Sequence, residues 1–245
     1  MKKSLTVVIC VISFFAFGQK TKEVTKKYKN PWYTEKYSVL KSDKTVKHGN
    51  FQKLGYEDCL VINGYYNHGK KDSIWTTYYW RSKQIEKEGR YKDGKRVGEW
   101  RFYSQNGTLI QTYDYSLSKL TYSIKPEKET EIKIGDSIYS KILLSNPQYI
   151  GSTIELYDFI GEAQMQMSRD NEIQMQSGLV KISFYIDEKG VAQNHRLEEG
   201  ISKELDEKCM EIAKSIPDYW IPGMDENGLV TSKYIVYMKF NFQRR

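Results

Sequence analysis

The sequence predicts two β-rich units, an all-β sheet of repeated β-hairpins followed by an α+β domain of strand-strand-helix-strand order. Three observations carry this expectation. First, the stretch GRYKDGKRVGEW, Gly89 to Trp100, centres on Asp93-Gly94, the pair that best tolerates φ > 0 at both central positions of a type I′ turn, so its flanks should pair as antiparallel strands. Second, a shift of 25 residues lays Gly64, Tyr66, Gly69, Lys70, Trp75 and Tyr78 onto Gly89, Tyr91, Gly94, Lys95, Trp100 and Tyr103. An isolated hairpin is marginal in water, so such a recurrence is what a stable hairpin sheet needs. Third, residues 179–242 alternate and then switch to a helical period before alternating again.

The repeat region runs over residues 37–115. A weaker start lies at Gly49-Asn50-Phe51, and Asn106-Gly107 supplies a turn that sends residues 109–115 back along the strand of Trp100 and Tyr103, giving about three hairpin units. Identical rings one unit apart are placed to stack across neighbouring hairpins. The face formed by Tyr66, Trp75, Tyr78, Tyr91, Trp100 and Tyr103 has two readings: the core of a thin sheet, or a surface for glycan or lipid headgroups.

Ahead of the repeats, residues 1–18 have the form of a secretory signal. Lys2 and Lys3 precede an apolar run from Leu5 to Phe17, which ends at Ala16-Phe17-Gly18. Cleavage is expected after Gly18, since the run is short for a membrane span; an uncleaved anchor is the alternative. Cys10 lacks the small residues that precede a lipidated cysteine. Export puts the mature chain in the periplasm or at the outer membrane, soluble once cleaved.

Removing Lys2 and Lys3 lowers the formal charge from +7 to +5. Much of the excess lies between Lys20 and Lys47, where nine lysines face Glu23, Glu35 and Asp43. Residues 19–36 accordingly read as a basic, solvated and partly disordered leader, with contact to anionic lipid or acidic polymer as the sharper reading. Nucleic acid is not implied, because no reading motif accompanies the charge. The mature cysteines, Cys59 and Cys209, form no disulfide framework.

Residues 116–140 carry Pro126 and a charge cluster and read as a linker, with one extended stretch at 132–134. The second unit covers residues 141–245. A short helix is expected over 151–167, then a strand at 179–186 (LVKISFYI), a turn at Asp187-Glu188-Lys189-Gly190 and a return strand at 191–197. Ser202 can cap the next helix, whose Leu205, Cys209, Ile212 and Ile216 share one face until Pro217 ends it. The last strand, 231–242, puts Tyr234, Val236, Met238 and Phe240 on one side.

The pattern G-x-Y-x-x-G-K-x-x-G-x-W at 89–100 resembles MORN-type repeats, with Ser73 standing where the third glycine belongs in the preceding unit. That resemblance implies an open, single-layer hairpin sheet used for contact and implies no reaction. Residues 146–242 resemble the TonB C-terminal domain in the form common among exported Bacteroidetes envelope proteins. Pro147-Gln148-Tyr149-Ile150-Gly151 is similar to its P-x-Y-x-G element, and the segment Gly178 to Asp187 with Gly190 to its first hairpin. Leu205-Asp206 is similar to its helix start, and Trp220-x-Pro222-Gly223 with Gly228 to its W-x-P-G…G turn. Gln174-Met175-Gln176 replaces the usual Tyr-Pro pair, and the gap from Gly223 to Gly228 is one residue longer than usual.

This second resemblance implies docking on an outer-membrane receptor or another envelope protein by β-strand addition, with a link to outer-membrane transport. The edge it implies is Lys233, Tyr234, Val236, Tyr237, Met238 and Phe240; half-buried core explains the same pattern. An energy transducer also needs an anchor and a proline-rich spacer, and five prolines behind a cleaved signal fit an adaptor instead.

No catalytic or metal chemistry is expected, and no cofactor. His48, His68 and His195 are far apart in sequence, and no metal-ligand spacing, nucleophile elbow or phosphate loop occurs. Asp187, Glu188, Glu198 and Glu199 flank a hairpin and read as solvated turn charges, because an acid–base pair needs burial to shift its pKa values. The glycines are expected to serve turns.

Overall fold

The computed structural model describes residues 19–29, 32–167 and 176–241. The expected signal peptide, residues 1–18, and Phe242 of the expected last strand lie outside them, as do Gln174 and Met175. The described chain is mostly β, with one large antiparallel sheet, a second smaller sheet and two helices.

The large sheet has nine strands in sequence order: β1 (Thr21–Lys29), β2 (Trp32–Leu40), β3 (Lys47–Leu54), β4 (Leu60–Asn67), β5 (Lys70–Tyr78), β6 (Ile85–Lys92), β7 (Lys95–Tyr103), β8 (Leu109–Asp114) and β9 (Lys119–Ser123). Both repeat turns take the expected form. His68-Gly69 and Asp93-Gly94 have positive φ at both central residues, 48° and 80°, then 50° and 84°.

Two sequence expectations change here. The basic segment 19–36 is no disordered leader: β1 pairs with β2 from Thr21↔Leu40 to Lys29↔Trp32, and Tyr28 stacks on Tyr33 at 4.2 Å. Its lysines do the work of an edge strand, because a row of charges discourages pairing with another chain. The expected linker 116–140 is shorter than its composition suggests. β9 completes the large sheet, while β10 (Thr130–Ile134) and β11 (Ser137–Lys141) form a hairpin that joins the second sheet.

The second unit continues with β12 (Gln148–Tyr149), α1 (Ser152–Met167), β13 (Gly178–Ile186), β14 (Ala192–Glu199), α2 (Lys203–Ser215), β15 (Trp220–Ile221), β16 (Gly223–Asp225) and β17 (Gly228–Phe240). Its main sheet runs β11-β10-β17-β13-β14, with β16 paired to β17 as well. Ser202 accepts the Leu205 N–H at 3.4 Å as the N-cap of α2. Both helices pack on one face of this sheet, where Leu156, Ile160, Leu205 and Cys209 meet Val180, Ile182, Phe184, Val236 and Met238, all fully buried. That burial pushes the Cys209 thiol up to about 12, an inert core sulfur. No described helix is long and apolar enough to cross a membrane.

Candidate interaction surfaces

The first surface is the aromatic face of the large sheet. Alternation places Val24, Tyr37, Phe51, Gly64, Trp75, Gly89, Trp100, Tyr113 and Leu120 on one side of successive strands. Each tryptophan ring lies over a glycine of the preceding strand: a Cβ on Gly64 would come 2.3 Å from the Trp75 ring, and one on Gly89 2.2 Å from that of Trp100. Trp75 donates to the Tyr65 and Asp72 carbonyls at 3.1 Å, and Trp100 to the Arg90 carbonyl at 3.1 Å. The turn explanation therefore fails at Gly64 and Gly89, which make room for indoles in mid-strand.

Phe51, Tyr66, Trp75, Tyr91, Trp100 and Tyr115 form a continuous run of ring contacts, mostly edge to face at 5.1–6.1 Å. Tyr78 and Tyr103 stand off it; the Tyr103 hydroxyl donates to Glu88 instead. Cations repeat with the rings: Lys47 lies over Tyr37 and Phe51, Lys71 over Trp75, and Arg96 over Trp100, at 4.4–4.7 Å. Trp75 and Trp100 are buried, so for them the core reading holds and a ligand has no open indole to stack on.

The second unit covers part of this face. Ile150, Ile154 and Ile221 pack against the aromatic cluster. Gln111, fully buried, donates to the Tyr149 carbonyl and accepts the Gly151 N–H at 2.8 Å. Glu155, in the first turn of α1, meets Arg96 at 2.8 Å and Lys87 at 3.0 Å. Burial by itself raises the Glu155 carboxyl, but Lys87 and Arg96 outweigh it and hold the group below its ordinary value. Beside this junction a cleft of about 780 Å³ is lined by Tyr113, Tyr115, Tyr149, Phe159 and Tyr219. Sequence reasoning missed this clasp, since nothing local marks Gln111, Arg96 or Glu155 as partners.

The third surface is the outer side of β17. On one side the strand pairs with β13 from Ser232 to Phe240. On the other, β10 pairs only with Thr231 and Ser232, although Glu131 still reaches Lys233 at 3.5 Å. Past that point no described strand covers residues 235–240. The Tyr237 N–H donates to the Tyr157 hydroxyl of α1 at 3.3 Å and so points away from β13. By alternation the backbone groups of Ile235 and Lys239 point the same way.

The six residues expected at this edge therefore divide. Val236, Met238 and Phe240 are core, and Tyr234 is half-buried against Trp220 and Phe184 with its phenol pushed up by burial. Lys233 and Tyr237 face outward, together with Ile235 and Lys239, which the one-sided apolar pattern had passed over.

Three of the four turn carboxylates considered for chemistry have structural partners, whereas the buried His195 Nε2 has no hydrogen-bond partner among the described residues. Asp187 accepts the Lys189 and Val191 N–H groups in the turn, Glu188 accepts from Thr231, and Glu198 from Ser183. His48 and His68, distant in sequence, lie 4.7 Å apart, and His195 stacks on Phe184. No group of three or more metal-ligating side chains occurs among the described residues. Compared with protein-family models, curated proteins and solved structures, the chain finds no match in any of the three.

Proposed function

We propose that the chain is a non-enzymatic envelope interaction protein that captures an extended segment of a partner by strand addition along residues 235–239. The observation that supports this most is the one-sided pairing of β17 beyond Ser232, with the Tyr237 N–H aimed outward. The resemblance to the TonB C-terminal domain adds to it. Its two aromatic elements pair with each other here, Tyr149 opposite Trp220 in the short β12–β15 ladder with rings 4.9 Å apart. The resemblance to MORN-type repeats assigns the large sheet a supporting contact role, and an outer-membrane receptor or another envelope protein is the expected partner.

Backbone pairing alone gives modest affinity. Even if Ile235, Tyr237 and Lys239 pair every outward N–H and C=O, roughly 1 kcal/mol each stays below the roughly 8 kcal/mol of a micromolar complex. Side-chain contacts with Tyr237, Lys239 and Tyr157 must supply the rest.

The test replaces Tyr237 or Lys239 singly by a photoreactive residue in cells and identifies captured proteins by mass spectrometry. A second variant, Tyr237→Pro, removes the outward donor and no ladder bond to β13. Capture of an envelope protein at both positions, with capture from position 239 lost when Tyr237→Pro is added and circular dichroism unchanged, is the expected result. Equal capture by the proline variant would refute strand addition.

A further inference from the structure

The face of the large sheet turned away from the rings is polar, and it is concave. Register shifts interrupt the pairing between Tyr37 and Val39, between Asn63 and Tyr65, and between Glu88 and Arg90. A β-bulge bends its strand, and bulges at matching places in successive hairpins bend them together into a trough running across the strands. Its main hollow, about 710 Å³, is lined by Lys36, Asn50, Gln52, Asn63 and Arg90 among others, with Glu23 at its β1 end as the one carboxylate. A smaller hollow of about 390 Å³ continues it past Ile74 and Arg90.

We propose that this trough binds an acidic polysaccharide laid across the strands, a site separate from both the aromatic face and the β17 edge. The lining presents solvent-facing hydrogen-bonding groups that no other protein group occupies. Among the described residues, the side-chain amides of Asn50, Gln52 and Asn63 have no hydrogen-bond partner, and Lys36 and Arg90 no ion pair. Pairing sets Lys36 opposite Gln52 and Gln52 opposite Asn63, so these groups form a file. An amide offers donors and an acceptor together, which suits a dense array of hydroxyls.

The charge pattern narrows the ligand further. Lys36 on β2 and Arg90 on β6 are four strand spacings apart, roughly 19 Å, with uncharged groups between them. A polymer with sparse carboxylates fits that spacing. A nucleic acid, with one phosphate per nucleotide, needs a denser row of cations; here Glu23 interrupts the row at one end, and at the other Glu88 and Glu99 occupy Arg101. Ile74, 57% exposed on the floor, offers the C–H face of a sugar ring an apolar contact.

The full mature chain is run in native gels containing polygalacturonate, with dextran gels and a DNA oligonucleotide as comparisons. Polygalacturonate should retard the protein and dextran should not. The Lys36→Ala, Arg90→Ala double variant should lose affinity by about tenfold or more, as expected for one charge-assisted hydrogen bond, and Asn63→Ala should weaken it less. Removing two exposed charges elsewhere, Lys203→Ala with Lys214→Ala, should leave retardation intact. Equal loss in that second pair, full retention in the first, or equal binding of DNA would each overturn the assignment. All these side chains sit on the surface or the trough floor, and circular dichroism checks that the variants stay folded.

Discussion

Gly89→Ala tests the reading of the aromatic face directly. Neither Gly64 nor Gly89 has φ in the left-handed region, so what glycine supplies is space. An added methyl at 89 would meet ring carbons of Trp100 at 2.2–2.4 Å, and ordinary contact lies near 3.5–4.0 Å. The indole would have to move by about 1 Å or more. It is 2% exposed, held by its bond to the Arg90 carbonyl and by Tyr91 and Arg96 around it. Overpacking costs about 1–3 kcal/mol and the strained or lost hydrogen bond about 0.5–1.5, offset by about 0.5–1 from removing a strand glycine. The net is a destabilisation of about 2 kcal/mol. Urea unfolding followed by tryptophan fluorescence should show the midpoint falling by about 1 M. Gly161→Ala is the comparison: in α1 with no atom within 4 Å of the added methyl, it should stabilise by up to about 1 kcal/mol. A Gly89→Ala midpoint at or above that of the wild type would refute the packing account.

Three further outcomes follow from the same geometry. Glu155→Gln leaves Arg96 and Lys87 mostly buried without their shared carboxylate and should cost about 3 kcal/mol in the same titration. Because the folded carboxyl titrates below its ordinary value, its stabilisation is full above about pH 4.3 and fades as pH falls through the folded value. The variant should lack that acid-side slope. Ser73 holds φ 61° at the position where the next unit has Gly98 at 59°, so Ser73→Gly should raise the urea midpoint by the equivalent of about 1 kcal/mol. At His195, burial and then Lys214 hold the imidazole below its ordinary value. Its contribution should be full above about pH 6.5 and fade on acidification, a dependence that His195→Phe should remove in thermal melts taken across that range.

The hairpin turns and, in the second unit, α1, β13, β14, α2 and β17 were legible because their signals are local, whereas the short strands β12, β15 and β16 were not. Asp93-Gly94 sets its own turn, and the spacing of Leu205, Cys209 and Ile212 marks the buried face of α2. The lysine-rich segment misled because composition reports solvation and not pairing; β1 is ordered through its partner β2, and charge on an edge strand is compatible with a sheet. The segment 116–140 misled similarly, since β9 and β10 join different sheets through contacts that no short window contains. The clasp of Gln111, Arg96 and Glu155 joins residues up to 59 positions apart, and only the folded chain brings them together.

The divided character of β17 has a simple physical origin. Along a strand, side chains alternate between the two faces of the sheet, while the N–H and C=O groups lie in its plane and point alternately to either side. Packing and pairing are thus governed by separate directions. Val236 and Met238 can fill the core completely without deciding whether the strand has a neighbour, and the apolar pattern that marked residues 234–240 therefore identified the buried face and said nothing about the open side. The open side shows in the pairing, which stops at Ser232 toward β10, and in the direction of the Tyr237 N–H. Tyr157 satisfies that donor from α1, the helix whose Glu155 clasps the large sheet. A partner strand would have to replace the tyrosine hydroxyl with a backbone carbonyl, an exchange of one hydrogen bond for another at little net cost.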